Sequence, residues 1–172
     1  MSDFDNYDVN NDGVADDVDT AAYTDGGTVT LADTDNDDFA DAAAYDADGD
    51  GNPENVDYDT DNDNKLDTTV HDLDDDRDPD AVSADTNADG RVDTEAYDRN
   101  DDSAMDTVVA DTDHDGRTDT AVADRDFDGT VDYTAEDPDE DGNVDRTTSD
   151  TDGDGVRDTV HYGDNDTNPY AS

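Results

Sequence analysis

Polar and apolar positions recur with a fixed beat along this chain: a run of acids and turn formers gives way to a few Thr, Val, Ala or Tyr every thirteen residues from Asp33 to Tyr162. The segments 111–123 (DTDHDGRTDTAVA) and 150–162 (DTDGDGVRDTVHY) are clear instances. Positions 7 to 13 of the unit predict a short strand, because β-branched and aromatic side chains suit a pleated surface and the turn signals return too soon for a helix. Position 8 reads Ala40, Pro53, Leu66, Pro79, Val92, Met105, Thr118, Val131, Val144 and Arg157. It is therefore expected to feed a thin buried stripe of Val, Leu and Ala. Pro53 and Pro79 cannot donate to a ladder, so they are expected at a strand start or a bulge.

A second period lies over the first. In alternate units position 2 is Thr34, Thr60, Thr86 and Thr112, while the intervening units carry Ala47, Leu73, Arg99, Arg125 and Thr151. Position 11 of the intervening units reads Val56, Val82, Val108, Thr134 and Val160; in the others it is Ala43, Thr69, Glu95, Ala121 and Thr147. Each unit is too small to bury a face alone and depends on its neighbours. The expected fold is all-β, a repeat solenoid in which 13-residue units pair into 26-residue coils with loops on opposite edges. The expected divisions are a tail at 1–7, a divergent first coil or cap at 8–32, ten tandem repeats at 33–162, and a tail or cap at 163–172.

The polar half of the unit carries the chemistry. Position 1 holds Asp33, Asp46, Asp59, Asp72, Asp85, Asp98, Asp111, Asp124, Asp137 and Asp150. Position 3 holds Asp35, Asp48, Asp61, Asp74, Asn87, Asn100, Asp113, Asp126, Asp139 and Asp152. Position 5 holds Asp37, Asp50, Asp63, Asp76, Asp89, Asp102, Asp115, Asp128, Asp141 and Asp154, and position 9 holds Asp41, Glu54, Asp67, Asp80, Asp93, Asp106, Asp119, Asp132, Asp145 and Asp158. An earlier copy, Asp8, Asn10, Asp12 and Asp16, sits one residue out of phase, as a deletion between 21 and 32 would produce. Ca²⁺ takes six to eight oxygens, and a loop with acids at 1, 3 and 5 and a turn residue at 6 wraps several of them around one ion. All these residues are candidate metal ligands, at about one Ca²⁺ per unit.

Charge points the same way. With 8 Lys and Arg against 56 acids the formal net charge is -48, and only 29% of residues are hydrophobic, so the bare chain is expected to be disordered. Eleven bound Ca²⁺ would bring the charge to -26, which makes metal binding and folding one event. A salt-adapted acidic surface explains the charge but not its thirteen-residue frame. Nucleic acid is excluded as a partner by electrostatics. No apolar run approaches membrane-spanning length, and no ordinary signal peptide is visible at the start.

The pattern DxDxDG with a further acid at position 9 resembles the calcium loops of EF-hands, dockerins and, most of all, the thrombospondin type 3 repeat, over about nine tenths of the chain. The stacked coils resemble the β-roll of RTX proteins in architecture only, since their glycine-rich nonapeptide is missing. The resemblance implies a calcium-stabilised fold. One departure stands out: the acid that EF-hand-type loops carry at position 12 is replaced by Ala44, Val70, Ser83, Ala96, Val109, Val122, Ala135, Thr148 and His161, leaving only Asp57. Position 9 plus a neighbouring loop is expected to supply the missing oxygens.

Other features add little. Tyr45, Tyr58, Tyr97 and Tyr162 share position 13 and are expected to stack over the loop base. His71, His114 and His161 occupy three different unit positions and are expected to face solvent. No catalytic constellation stands out, so the chain is read as non-enzymatic. The function expected is a calcium-binding repeat protein, extracellular or at a cell surface, acting as a structural, adhesive or spacer module with site affinities of roughly 10⁻⁴ to 10⁻³ M. Alternatives are a filament subunit self-associating end to end, an ice-binding protein built on the threonine series, and a calcium buffer.

Overall fold

The computed structural model describes residues 16–163. Asp8, Asn10, Asp12, the tail at 1–7 and all of the C-terminal segment except Gly163 lie outside the described residues. Two compact units divide at Ala84/Asp85, and each is an antiparallel meander of six strands. The first contains β1 (Asp17–Ala22), β2 (Thr28–Asp33), β3 (Ala42–Asp46), β4 (Asn55–Tyr58), β5 (Thr68–His71) and β6 (Ala81–Ala84). The second contains β7 (Thr94–Tyr97), β8 (Thr107–Ala110), β9 (Thr120–Ala123), β10 (Tyr133–Glu136), β11 (Arg146–Ser149) and β12 (Thr159–Tyr162).

Each thirteen-residue unit thus gives one strand and one loop, the all-β, solenoid-like repeat expected from the sequence. Strand direction reverses at every loop, so neighbouring strands are antiparallel rather than stacked in parallel as in a roll. Consecutive loops consequently fall on opposite edges.

The 26-residue period follows from this reversal. Within β7–β8 the register pairs Ala96 with Val108, and within β8–β9 Val108 with Val122, so one sheet face takes position 12 from one strand and position 11 from the next. The row continues through Thr134, Thr148 and Val160. In the first unit the equivalent cross-strand row reads Ala44, Val56, Val70 and Val82. Thr134 and Thr148, both buried, bond through their hydroxyls at 2.7 Å.

In the ten repeats strands begin at position 10, three residues later than the pattern predicted, and end at position 13 except in β3, which runs on to Asp46. Backbone through position 9 is committed to the loop, because position 5 carboxylates accept the position 7 amides, as in Asp89 with Arg91 at 3.0 Å. Position 8 side chains are therefore not core: Leu66, Val92, Val131 and Val144 are all exposed. Pro53 and Pro79 stand two residues before β4 and β6, where no ladder bond is asked of them. Among the described residues the buried apolar ones are Ala32, Ala43, Ala81 and Ala135, and no large side chain is fully enclosed.

The stretch around 21–32 departs from the loop pattern. Strands β1 and β2 pair over six residues each, from Asp17↔Asp33 to Ala22↔Thr28, and a tight turn closed by Tyr23 N–H to Gly27 O at 2.8 Å replaces the acidic loop. Gly26 (φ 111°) permits that turn.

Candidate metal centre

Ten loops, spanning positions 1 to 9, share one hydrogen-bond scheme. The position 1 carboxylate accepts the position 6 amide in every loop, from Asp85 with Gly90 at 2.6 Å to Asp33 with Asp38 at 3.0 Å. Its other oxygen generally takes the amide of position 4 or 5, as in Asp59 with Asn62 at 2.7 Å. The backbone accommodates this by turning left-handed at both position 4 and position 6. Position 6 was legible as a glycine position; position 4 was not, and it is filled by Asn36, Asn62, Asp75, Ala88, Asp101, His114, Phe127 and Glu140 as well as Gly49 and Gly153. Asn and Asp tolerate this conformation best among non-glycine residues.

The position 9 acid closes the loop. Its carboxylate accepts the position 2 amide seven residues earlier in every loop whose position 2 is not proline: Asp41, Glu54, Asp67, Asp80, Asp93, Asp106, Asp119, Asp132 and Asp158. Pro138 has no amide to give Asp145. The threonine series at position 2 adds a hydroxyl to the same carboxylate, in Thr34 to Asp41 at 2.6 Å, Thr60 to Asp67 at 2.7 Å, Thr86 to Asp93 at 2.8 Å and Thr112 to Asp119 at 2.9 Å. Those hydroxyls point into their own loops, not outward as a water-ordering array.

Burial sorts the acids into two kinds. Among the described residues the buried aspartates are Asp16, Asp46, Asp59, Asp72, Asp93, Asp106, Asp111, Asp124, Asp137 and Asp145, and every one of these stands at position 1 or 9. The candidates at positions 3 and 5 are exposed throughout. At positions 1 and 9, donors hold Asp41, Asp67, Asp72, Asp93, Asp98, Asp119, Asp124 and Asp150 below the usual carboxylate range. For Asp98 and Asp124 burial pushes upward and the loop amides outweigh it. For Asp67 and Asp119 burial is again outweighed, by the hydroxyls of Thr68 and Thr60 and of Thr120 and Thr112. Three position 3 acids shift the other way: desolvation and then neighbouring aspartates raise Asp35, Asp74 and Asp126.

The candidate ligands converge. Carboxylate oxygens of Asp33, Asp35 and Asp37 lie within 4.8 Å of one another, as do those of Asp46, Asp48 and Asp50; in the next two loops the converging sets are Asp59, Asp61 and Asp67, and Asp72, Asp74 and Asp80. Position 9 therefore joins 1 and 3 in those two loops. Asp57, the one acid at position 12, lies in β4 and accepts the Thr69 hydroxyl at 2.6 Å, away from any loop. Two buried oxygens at candidate positions, Asp132 Oδ1 and Asp137 Oδ1, have no hydrogen-bond partner. This donor set, all oxygen and anionic, fits a hard divalent cation.

Loops on one edge also touch the loop 26 residues away, mostly through position 4. Asn52 Nδ2 reaches Asp72 at 2.9 Å and Asp75 at 2.6 Å. His114 Nδ1 lies 3.3 Å from Asp93, and Asn64 Nδ2 donates to Asp37 at 3.1 Å. Glu140 meets Asp115 and Asp113, which raise its carboxyl to about 7, while Arg117 donates to the Glu140 carbonyl at 2.7 Å. The sequence did not single out Glu140; an acid at position 4, two units beyond a complete loop, was the available signal. His71 is half-buried between Asn55 (2.7 Å) and Ser83 (3.1 Å), contrary to the solvent-facing expectation, whereas His161 is exposed.

Comparison with known proteins gives no match: no family model, curated protein or solved structure aligns with the chain. The functional reading rests on the residues themselves. Among the described residues no helix is long and apolar enough to cross a membrane.

Proposed function

We propose that the chain is a non-enzymatic calcium-binding repeat protein that folds as Ca²⁺ fills its loops and serves as an extracellular structural, adhesive or spacer module. The observation that carries this reading is the placement, among the described residues, of all ten buried aspartates at positions 1 and 9 of the loop frame. Burying carboxylates without opposite charge is costly; among the described residues no Lys, Arg or His nitrogen lies within 4.0 Å of the buried carboxylates of Asp46, Asp59, Asp72, Asp106, Asp111, Asp124 and Asp137, and Asp93 has the His114 imidazole at 3.3 Å. A divalent cation supplies the missing charge and satisfies oxygens such as Asp137 Oδ1. Positions 1, 3, 5 and 9 would hold it, and the neighbouring loop on the same edge is the reserve of further oxygens.

The ion count per chain tests the reading. Asp111, Asp113 and Asp115 changed together to Asn should lower the calcium bound in an equilibrium measurement. Loss of more than one ion indicates ligand sharing between same-edge loops, and loss of one indicates independent loops. An unchanged count, or a wild-type chain that binds no calcium at millimolar concentration, overturns the proposal.

A second reading, end-to-end assembly into a filament, draws on β12, whose residues Thr159, Val160 and His161 are exposed and which pairs only with β11 among the described residues. Such an edge is a template for another strand. Concentration-dependent elongated particles in calcium support it, and a monomer at all concentrations removes it.

A further inference from the structure

Two of the few cations in this chain line one apolar cleft. Arg99 and Arg125 stand at position 2 of successive same-edge loops, and both border a cleft of about 370 Å³ in the second unit. Val109 of β8 and Ala121 of β9 contribute its apolar floor, and Tyr133 and Phe127 its aromatic walls. The Arg125 guanidinium sits 3.3 Å from the Tyr133 ring centroid. Among the described residues neither guanidinium has a carboxylate within 4.0 Å, in a chain with 56 acids. Asp124 also borders the cleft, but its carboxylate is engaged by the amides of Phe127 at 2.8 Å and Gly129 at 2.7 Å.

We propose that this cleft binds a small aromatic carboxylate. A guanidinium fork matches a carboxylate with two parallel bonds, and Arg125 is already stacked on a ring, which fixes its plane. The apolar floor and the two aromatic walls suit a planar hydrocarbon body, and the volume lies in the range of small-molecule sites. The molecule's overall charge repels polyanions far more than a singly charged acid, so a nucleic acid or an acidic protein is disfavoured. Arg99, Arg125, Tyr133 and Val109 are not among the calcium ligands proposed above, so the two readings fail separately.

The test uses the full chain in saturating calcium, with 2-naphthoate as probe and 2-naphthalenemethanol as its neutral counterpart, by calorimetry and by NMR of the aromatic resonances. One-to-one saturable binding is expected, with shifts concentrated on Tyr133 and Phe127. The alcohol, and the Arg99→Gln/Arg125→Gln variant, should each bind at least tenfold more weakly, while Arg157→Gln binds as wild type. Absence of saturable binding, equal affinity for the alcohol, or undiminished binding by a folded double variant overturns the proposal. If circular dichroism shows that the double variant does not fold, the wild-type shifts decide: confined to the cleft they support it, scattered over the chain they refute it.

Discussion

Replacing Thr86 by valine deletes one hydroxyl and tests whether the threonine series works as a loop clamp. Thr86 Oγ1 lies 2.8 Å from Asp93 Oδ1 and 3.0 Å from Oδ2, and Asp93 is 7% exposed. Its other donors are the Thr86 amide at 3.0 Å and the Thr94 hydroxyl at 3.0 Å. A hydrogen bond to a charged group is worth about 1.5–3 kcal/mol. Thr86 itself is exposed and Asp93 keeps two donors, so the low end applies, about 1.5 kcal/mol. Urea denaturation in saturating calcium at neutral pH should show Thr86→Val destabilised by that amount and Thr86→Ser close to wild type. The sign with pH follows from Asp93: burial raises its carboxyl, but the Thr86 and Thr94 hydroxyls, the Thr86 amide and His114 together lower it. A lowered acid stabilises the fold above its unfolded value of about 3.9 and loses that contribution as pH falls through the folded value. The valine penalty should therefore shrink on acidification as far as the protein remains folded. A penalty below about 0.5 kcal/mol at neutral pH, the scatter of ordinary surface changes, would refute the clamp.

Three further outcomes are expected. Arg77 holds a left-handed backbone (φ 79°) at a position where other loops use glycine, so Arg77→Gly should raise stability in calcium by about 1 kcal/mol; a loss measured by urea denaturation would contradict the strain argument. Val108 sits between Ala96 and Val122 in the apolar cross-strand row, and Val108→Asp should cost about 2 kcal/mol or more by the same assay. Glu140, raised to about 7 by Asp115 and Asp113, favours the folded state below its unfolded value and loses that contribution as pH rises through about 7. In metal-free buffer β signal should accordingly grow as pH falls from above 7 towards 4.5, and Glu140→Gln should flatten that dependence; an identical profile in the variant would show that the crowding does not matter.

Much of this architecture was legible because the repeat forces it. Thirteen residues with four acids and a turn signal leave room for one short strand, and the alternation of Val56, Val82 and Val108 at position 11 with Ala43, Thr69 and Glu95 marks two faces of an antiparallel sheet. The strand start was misplaced because an apolar residue such as Val92 or Leu66 reads as core in a pattern, whereas the bonds from the position 5 and 9 carboxylates keep it in the loop. Phe127 and Glu140 disguised the left-handed position 4, since neither favours positive φ. The threonine series suggested an outward ladder; its contact with position 9, seven residues on, depends on the loop closing, which spacing alone does not encode. The reach of His114 to Asp93 and of Asn52 to Asp72 needed the knowledge that alternate loops share an edge.

Cohesion by a divalent ion, in place of an oily interior that among the described residues amounts to four buried alanines, is tested most directly by circular dichroism of the full chain titrated with calcium and, separately, magnesium. The account predicts that β structure appears with Ca²⁺ near millimolar concentration, far less with Mg²⁺, and disappears on adding chelator. A chain equally well ordered after chelation would contradict it.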